Sequence, residues 1–186
     1  LGPLLFLIYT NDIQNAISHS SIIQYADDTT LYCSGPDAAI LRNHISSDLT
    51  NLVAYFSCNS LQLNLTKTNH MTINPKKSHN LNTDNMQISI NGTLINKVTE
   101  TSFLGLIIDN ELSFKNHIKQ TEKKVSRGLY ALRSVKHILP KKHLKLLYYA
   151  LIASHLSYGI IYWNSTSKQH IHRLTVLQKK AIRIIT

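Results

Sequence analysis

Two adjacent carboxylates set between strand-forming residues constrain this chain more than any other feature. They stand in Tyr25-Ala26-Asp27-Asp28, with Ile22-Ile23-Gln24 before them and Thr29-Thr30-Leu31-Tyr32 after. Alternation on both sides of a tight turn predicts a β-hairpin with both acids at its tip. Like charges this close repel, so both ionise at neutral pH only where cations compensate them. Hard oxygen donors suit Mg²⁺, which takes one or two carboxylates together with substrate phosphates. Two such ions can run an in-line phosphoryl transfer. A solvated surface turn would carry the same acid pair, and the tetrapeptide by itself does not separate the two readings.

The charge is unevenly divided. Residues 1–114 hold 5 Lys/Arg against 9 Asp/Glu, whereas residues 115–186 hold 15 Lys/Arg and one acid, Glu122. Sign asymmetry of this size points to a polyanion partner. Lys and Arg that neutralise phosphates release counterions and give salt-dependent, sequence-independent affinity. Solvated helix faces are the plainer explanation, but the acidic i, i+4 partners that would stabilise such faces are almost absent here. A 43% hydrophobic content supplies a core and speaks against global disorder. The length of 186 residues fits one domain, or a domain fragment with a small appendage.

Cys33 and Cys58 match neither a disulfide framework nor a zinc site and read as reduced intracellular thiols. No secretory signal is expected, because no basic segment with a small-residue cleavage site opens the sequence. Leu4–Tyr9 is too short to span a bilayer, and Leu146–Trp163, interrupted by Ser154, His155 and Ser157, is expected as a buried helix, so no membrane partner is expected. The expected location is intracellular, in nucleus or cytoplasm.

Along the chain, Gly2-Pro3 opens a helix that fades near Ser18, with Leu4, Leu7, Ile8 and Ile13 on one apolar face. Asn11 and Asp12 read as structural. The hairpin follows over about 22–32, then a Ser34-Gly35-Pro36-Asp37 turn with Asp37 as N-cap. Helix 38–58 has its apolar face at Ile40, Leu41, Ile45, Leu49, Leu52, Val53 and Phe56. Leu61, Leu63 and Leu65 alternate with Gln62, Asn64 and Thr66 as in a half-buried strand, and 71–73 read as a strand end. Residues 74–85 read as a loop. Gln87–Ile95 is a hairpin with Asn91-Gly92 at its turn. A strand over Phe103–Ile108 follows, where Gly105 would let another backbone approach. From Ser113 the period is helical. Ile118, Val125, Leu129 and Leu132 mark a first helix. Leu144, Leu147, Tyr148, Leu151 and Ile152 mark a second behind Pro140. Ile171, Leu174, Leu177, Ala181 and Ile184 mark a third. The histidines show no zinc spacing, and His170 and His172 read as surface residues.

Four blocks stand in order: Leu1-Gly2-Pro3 through Ile13, Tyr25-Ala26-Asp27-Asp28, Leu61-Gln62-Leu63-Asn64-Leu65-Thr66-Lys67-Thr68, and Phe103-Leu104-Gly105-Leu106-Ile107-Ile108-Asp109. In this order and spacing they resemble the reverse transcriptase of non-LTR (LINE- or jockey-like) retrotransposons, over essentially the whole chain. Telomerase and group II intron enzymes share the acid pair, but the Leu-Gly-Pro and Leu-Asn-x-x-Lys-Thr blocks argue against them.

The resemblance implies an α/β (α+β) polymerase palm fragment, with an antiparallel sheet and a catalytic hairpin, over residues 1–112. A basic helical thumb follows over 113–186. It implies an RNA-directed DNA polymerase using two Mg²⁺ (or Mn²⁺) ions, an RNA template, a DNA primer duplex and deoxynucleoside triphosphates. Asp27 and Asp28 would hold metal, with Tyr25 and Ala26 against the primer terminus. Phe103, Leu104 and Gly105 would form the primer grip. Lys123, Lys124, Arg127, Arg133, Lys141 and Lys142 would contact nucleic acid. Lys67 would be either proton donor to leaving pyrophosphate or a plain phosphate-contacting or solvated lysine.

Two departures bear on this. The family's third metal Asp, its fingers and its first palm strand lie upstream of the Leu-Gly-Pro block, so the expectation is a fragment inactive by itself. Tyr55 stands where the family usually has Trp. A non-catalytic nucleic-acid-binding remnant of a decayed element is the competing reading. A structural helical protein without nucleic acid is a weaker one.

Overall fold

The computed structural model describes residues 1–74, 86–164, 166 and 168–186. The chain forms two compact units, Leu1–Val98 and Thr99–Thr186.

The first unit is organised on one long helix. Helix α1 (Gly2–Tyr9) opens with Pro in its first turn, and a 3₁₀ turn follows at Ile13–Ala16. Strands β1 (Ser21–Tyr25) and β2 (Asp28–Tyr32) pair antiparallel, with Tyr25 opposite Asp28 and Ser21 opposite Tyr32. Asp37 caps helix α2 (Ala38–Cys58), its carboxylate accepting from the Ala39 and Ile40 N–H groups at 2.7 and 3.2 Å. Strand β3 (Asn69–His70) pairs parallel with β6 (Asn96–Lys97), and β4 (Ser89–Ile90) pairs antiparallel with β5 (Thr93–Leu94). The 3₁₀ turn and β4 both pack on α2. Among the described residues, Ile13, Leu52, Met86, Ile88 and Ile90 are the buried apolar residues of this unit, the last three alternating as strand geometry requires.

Three expectations change here. The predicted apolar face of the first helix is solvent-facing: Leu4, Leu7 and Ile8 are exposed and only Ile13 is buried. An eight-residue helix that is hydrophobic all round has no polar face to turn outward, so some of its apolar surface meets water. The predicted Leu61–Leu65 strand is absent, because Asn64 builds a turn instead. Its side chain accepts from the Thr66 hydroxyl and the Lys67 N–H, and its carbonyl accepts from the Lys67 and Thr68 N–H groups. A local Asx-type turn thus competes successfully with a ladder. The strand expected at 71–73 lies just before, at Asn69–His70. The loop expected at 74–85 falls almost wholly outside the described residues.

The second unit begins with β7 (Glu100–Phe103) and β8 (Leu106–Asp109), an antiparallel pair. It continues with α3 (Lys115–Val135), α4 (Lys141–Tyr148), a π turn at Tyr149–Ala153, α5 (Ser154–Ser157), α6 (Ile160–Trp163) and α7 (Lys168–Ile185). Val125, Leu129, Leu132, Leu144, Ile152 and Ala181 form one buried cluster. Leu106, Phe114, Ile118, Trp163 and Leu174 form another. The three predicted helical stripes are therefore the ones that build this core. Each such side chain contributes about 1.5–3 kcal/mol relative to exposure. A Cβ on Gly128 would lie 2.7 Å from the Leu151 carbonyl oxygen, so α3 meets the π turn backbone to side.

The expected buried helix at 146–163 is broken and half exposed. Gly159 has φ +62° and a Cβ there would meet Leu106 at 2.6 Å, so chain direction and packing both demand glycine. Leu146, Tyr149, Ile161 and Tyr162 are exposed, while Trp163 is buried and donates its indole N–H to the Tyr158 carbonyl at 2.9 Å. Among the described residues no helix is long and apolar enough to cross a membrane.

Candidate functional site

The acid pair sits at the tip of the β1–β2 hairpin. The ladder closes at Tyr25–Asp28, leaving Ala26 and Asp27 as a two-residue turn. Ala26 has φ +54°, a left-handed conformation that costs an L residue roughly 1–2 kcal/mol. Asn91-Gly92 and Leu104-Gly105 have positive φ at both positions, with glycine at the second; Asn91 suits that conformation, whereas Leu104 is strained there as Ala26 is. The acid hairpin therefore carries local strain that a glycine or asparagine would relieve, as do the turns at Ser60, Leu104, Leu112 and Phe114. Tyr25, Ala26, Asp27 and Asp28 are all exposed. Neither carboxylate has a hydrogen-bond or ion-pair partner among the described residues, so the oxygens of both face solvent. β1 and β2 pair with no third described strand.

One residue controls where this hairpin starts, and it was not among the expected site residues. Asp48, on α2, is fully buried. Its carboxylate accepts from the backbone N–H groups of Ser18, His19 and Ser20 at 2.9, 3.1 and 2.7 Å, immediately before β1. Burial by itself would raise its pKa, but the Ser18 N–H, with those of His19 and Ser20, outweighs it and holds the carboxyl below its ordinary 3.8. The sequence signal was present: Leu41, Ile45, Asp48 and Leu52 recur at helical spacing, so a carboxylate interrupts an apolar stripe.

The other end of α2 grips the segment before the hairpin. The Tyr55 hydroxyl donates to Asp12 Oδ1 at 2.6 Å, and the Tyr9 hydroxyl donates to the Asn59 carbonyl at 2.5 Å. Burial, the bond to Asp12, the Asp12 charge and the neighbouring Tyr9 push the Tyr55 pKa up to about 12. Asp12 is thus structural, as expected. Tyr55, standing where Trp is usual, still offers a polar hydrogen-bond donor.

Lys67 is exposed on the Asn64 turn, apart from any ladder. Phe103, Leu104 and Gly105 come together in the second unit, but as a hairpin turn rather than a continuous strand. Leu104 and Gly105 have φ +46° and +81°. Gly105 therefore serves the turn: a Cβ there would meet the Tyr158 ring at an ordinary 3.5 Å. The Tyr158 hydroxyl donates to the Leu104 carbonyl and fixes that turn.

Asp109 could pass for a metal carboxylate by position, but its oxygens are engaged. They accept from the N–H groups of Glu111, Ser113 and Phe114 and from the Ser113 hydroxyl, at 2.7–3.1 Å. Burial would raise its pKa; the Ser113 and Phe114 donors prevail and lower it. This clamp holds Leu112 and Phe114 at φ +53° and +52° at the entrance to α3.

Of the basic residues, Lys123, Lys124, Arg127 and Arg133 are exposed on α3, and Lys141 and Lys142 are exposed in the first turn of α4. Lys141 also donates to the Thr186 carbonyl at 2.7 Å. Cys33 and Cys58 are free thiols. Among the described residues no group of three His, Cys, Asp or Glu side chains converges to hold a metal ion.

Residues 1–108 match the family model described as reverse transcriptase (RNA-dependent DNA polymerase). The chain belongs to that family, in its non-LTR retrotransposon branch. It is 28% identical over 197 residues to the "Probable RNA-directed DNA polymerase from transposon BS" of Drosophila melanogaster. It is 24% identical over 196 residues to the "RNA-directed DNA polymerase from mobile element jockey" of Drosophila funebris, and 24% identical over 202 residues to the jockey polymerase of Drosophila melanogaster. Each match covers 100% of this chain and 21% of the relative, so the chain spans about a fifth of the length of the curated relatives it matches. No solved structure matches it.

Proposed function

We propose that this chain is the part of an RNA-directed DNA polymerase that carries two of its metal-binding carboxylates and its duplex-holding helices. The observation that carries the reading is the acid pair Asp27 and Asp28 at the hairpin tip, adjacent, exposed and unpaired, in a chain of the reverse transcriptase family. Two acceptor-only carboxylates fit Mg²⁺ or Mn²⁺, which completes its shell with substrate phosphates and water. A divalent ion held there supplies positive charge to the phosphoryl transfer.

The chain's own residues orient and bind. Asp27 and Asp28 hold the metal together with a further carboxylate from outside this segment. Tyr25 and Ala26 lie against the primer terminus, the small Ala26 allowing close approach. The Phe103-Leu104-Gly105 turn supports the primer. Lys67 neutralises phosphate or protonates the leaving pyrophosphate. Residues 1–112 act as palm and 113–186 as a thumb, whose Lys123, Lys124, Arg127, Arg133 and Lys142 grip the RNA template–DNA primer duplex by its backbone. The substrates are deoxynucleoside triphosphates.

The test is primer extension on an RNA template by the full-length polymerase containing this segment. Asp27→Ala and Asp28→Ala each lower extension by at least roughly 10²–10³-fold and leave template–primer binding in place. Undiminished extension overturns the assignment. A nucleic-acid-binding segment without chemistry is the second reading, favoured by the 15 Lys/Arg against one acid over residues 115–186. Salt-sensitive duplex binding with no metal-dependent extension in the wild-type protein would decide for it.

A further inference from the structure

The outward face of α3 carries a residue that charge counting overlooks. The helix turns His117, Ile118, Thr121, Val125, Gly128, Leu129 and Leu132 inward. On the opposite side stands Tyr130, 74% exposed. Its hydroxyl has no hydrogen-bond partner among the described residues. Arg127 and Arg133 stand one turn to either side of it, and Lys123 two turns before, all exposed. Residues three or four apart on a helix are surface neighbours. None of these cations has an acidic partner among the described residues, and Glu122 is the one acid from residue 115 to the end. Unpaired cations around a bare aromatic ring are a poor solution for a solvated face and a good one for a sugar–phosphate backbone.

We propose that Tyr130 is a nucleic-acid contact, its ring packing on the sugars of an A-form-like RNA–DNA duplex between phosphates bound by Arg127 and Arg133. This rests on the reading of residues 113–186 as a duplex-holding region and names the residue that adds contact beyond charge. The shape of the surface favours a duplex over a single strand. Single strands are bound in a basic groove with aromatic platforms. Two shallow concavities border α3, one lined by Glu122, Ser126, His172, Arg173, Val176 and Leu177 and one by residues that include Lys115, Asn116 and Lys119, and Tyr130 lines neither of them. Tyr130 stands on the outward face of the helix, opposite its buried residues. An outward helix face of this kind can meet the wide, shallow minor groove of an A-form-like duplex, where sugars and 2′-hydroxyls are on display. The free phenol can hydrogen-bond those hydroxyls.

The two kinds of contact respond differently to salt. Releasing a phosphate contact flattens the dependence of log K on log salt by about 0.9. Losing an apolar packing contact weakens binding at every salt concentration and leaves the slope alone. The experiment is fluorescence anisotropy of a labelled RNA–DNA hybrid with this chain across a salt series, for wild type, Arg127→Ala, Tyr130→Ala and Tyr130→Phe.

Arg127→Ala flattens the slope. Tyr130→Ala weakens binding roughly tenfold at unchanged slope, with unaltered fluorescence of the buried Trp163 as the folding control. Tyr130→Phe keeps most of the affinity. Wild-type affinity in Tyr130→Ala, with Arg127→Ala flattening the slope as expected, overturns the Tyr130 contact and leaves the duplex-holding reading intact. Absence of salt-sensitive binding by the wild-type chain overturns that reading itself. Tighter binding to a single strand than to the hybrid overturns the choice of duplex.

Discussion

The two units solve the same problem to different degrees. Thr99–Thr186 buries two apolar clusters and closes its helices over them with complementary faces. Leu1–Val98 buries a few residues around α2 and leaves Leu4, Leu5, Leu7, Ile8 and Tyr9 in water, on a helix with no buried residue at all. Its hairpin, carrying the proposed metal ligands, has no fully buried residue either. Apolar burial stabilises the second unit, whereas the first is held in large part by specific polar ties: Asp48 to the 18–20 backbone, Tyr55 to Asp12, Tyr9 to Asn59. Among the described residues, the unit bearing the acids thus buries fewer apolar side chains, and its geometry depends on a few hydrogen bonds.

The chain holds a single tryptophan, Trp163, buried in the second unit. Its fluorescence follows that unit, while far-ultraviolet circular dichroism follows both. The largest expected effect comes from exchanging the two clamps. Asp48→Ala strands three N–H groups beside a buried site and costs roughly 3 kcal/mol or more, at about 1–3 kcal/mol per unsatisfied group. It shifts the circular-dichroism transition in urea and leaves the Trp163 transition in place. Asp109→Ala moves the Trp163 transition by a similar amount, together with the share of the circular-dichroism change that the second unit contributes. If Asp48→Ala shifts the Trp163 transition too, the units unfold as one and the contrast between them is wrong.

Gly128→Ala sharpens the same contrast from the packing side. The helix propensity of alanine gains about 1 kcal/mol over glycine. The new methyl group, however, lies 2.7 Å from a carbonyl oxygen of the π turn, and overpacking of this kind costs about 1–3 kcal/mol. The clash prevails, and the Trp163 transition falls to lower urea by about 1 kcal/mol or slightly more. A stabilised variant would mean that α3 is free to move away from the π turn, so that this unit is packed less tightly than its buried clusters suggest.

The smallest effect is a pH dependence confined to the second unit. His117 is buried, its Nδ1 accepts the Ile107 N–H at 3.3 Å, and its Nε2 has no partner. Burial first, and the charge of Lys124 second, hold its pKa below 6.5. The unfolded chain therefore takes up this proton more readily than the folded one. The stability it contributes is fully present above pH 6.5 and is lost as pH falls from there through the depressed folded value. His117→Asn flattens the decline of the Trp163 transition between neutral and mildly acidic pH, compared with wild type. An unchanged slope would move the titration to another group.

Periodicity made the regular elements legible. Helices 38–58 and 115–135, the helix ending at Ile185, the Asn91-Gly92 hairpin and the hairpin around Asp27 all follow from residue spacing, because local backbone geometry fixes which side chains share a face. The ordered blocks also sufficed to establish the family, since they are a property of sequence alone. What spacing could not show was competition between local alternatives. Leu61, Leu63 and Leu65 alternate as a strand should, yet Asn64 turns the chain there, its side chain accepting from the Thr66 hydroxyl and the Lys67 N–H. Phe103–Ile108 reads as one strand until the left-handed Leu104 and Gly105 fold it back on itself.

The sequence by itself thus determined the elements, the charge division and the acid pair at a hairpin tip, because each depends on residues close along the chain. Only the tertiary structure decided that Asp48 anchors that hairpin and that Tyr55 ties α2 to Asp12 ahead of it. Each of these depends on which groups far apart in sequence become neighbours, and so on where a carboxylate finds its donors.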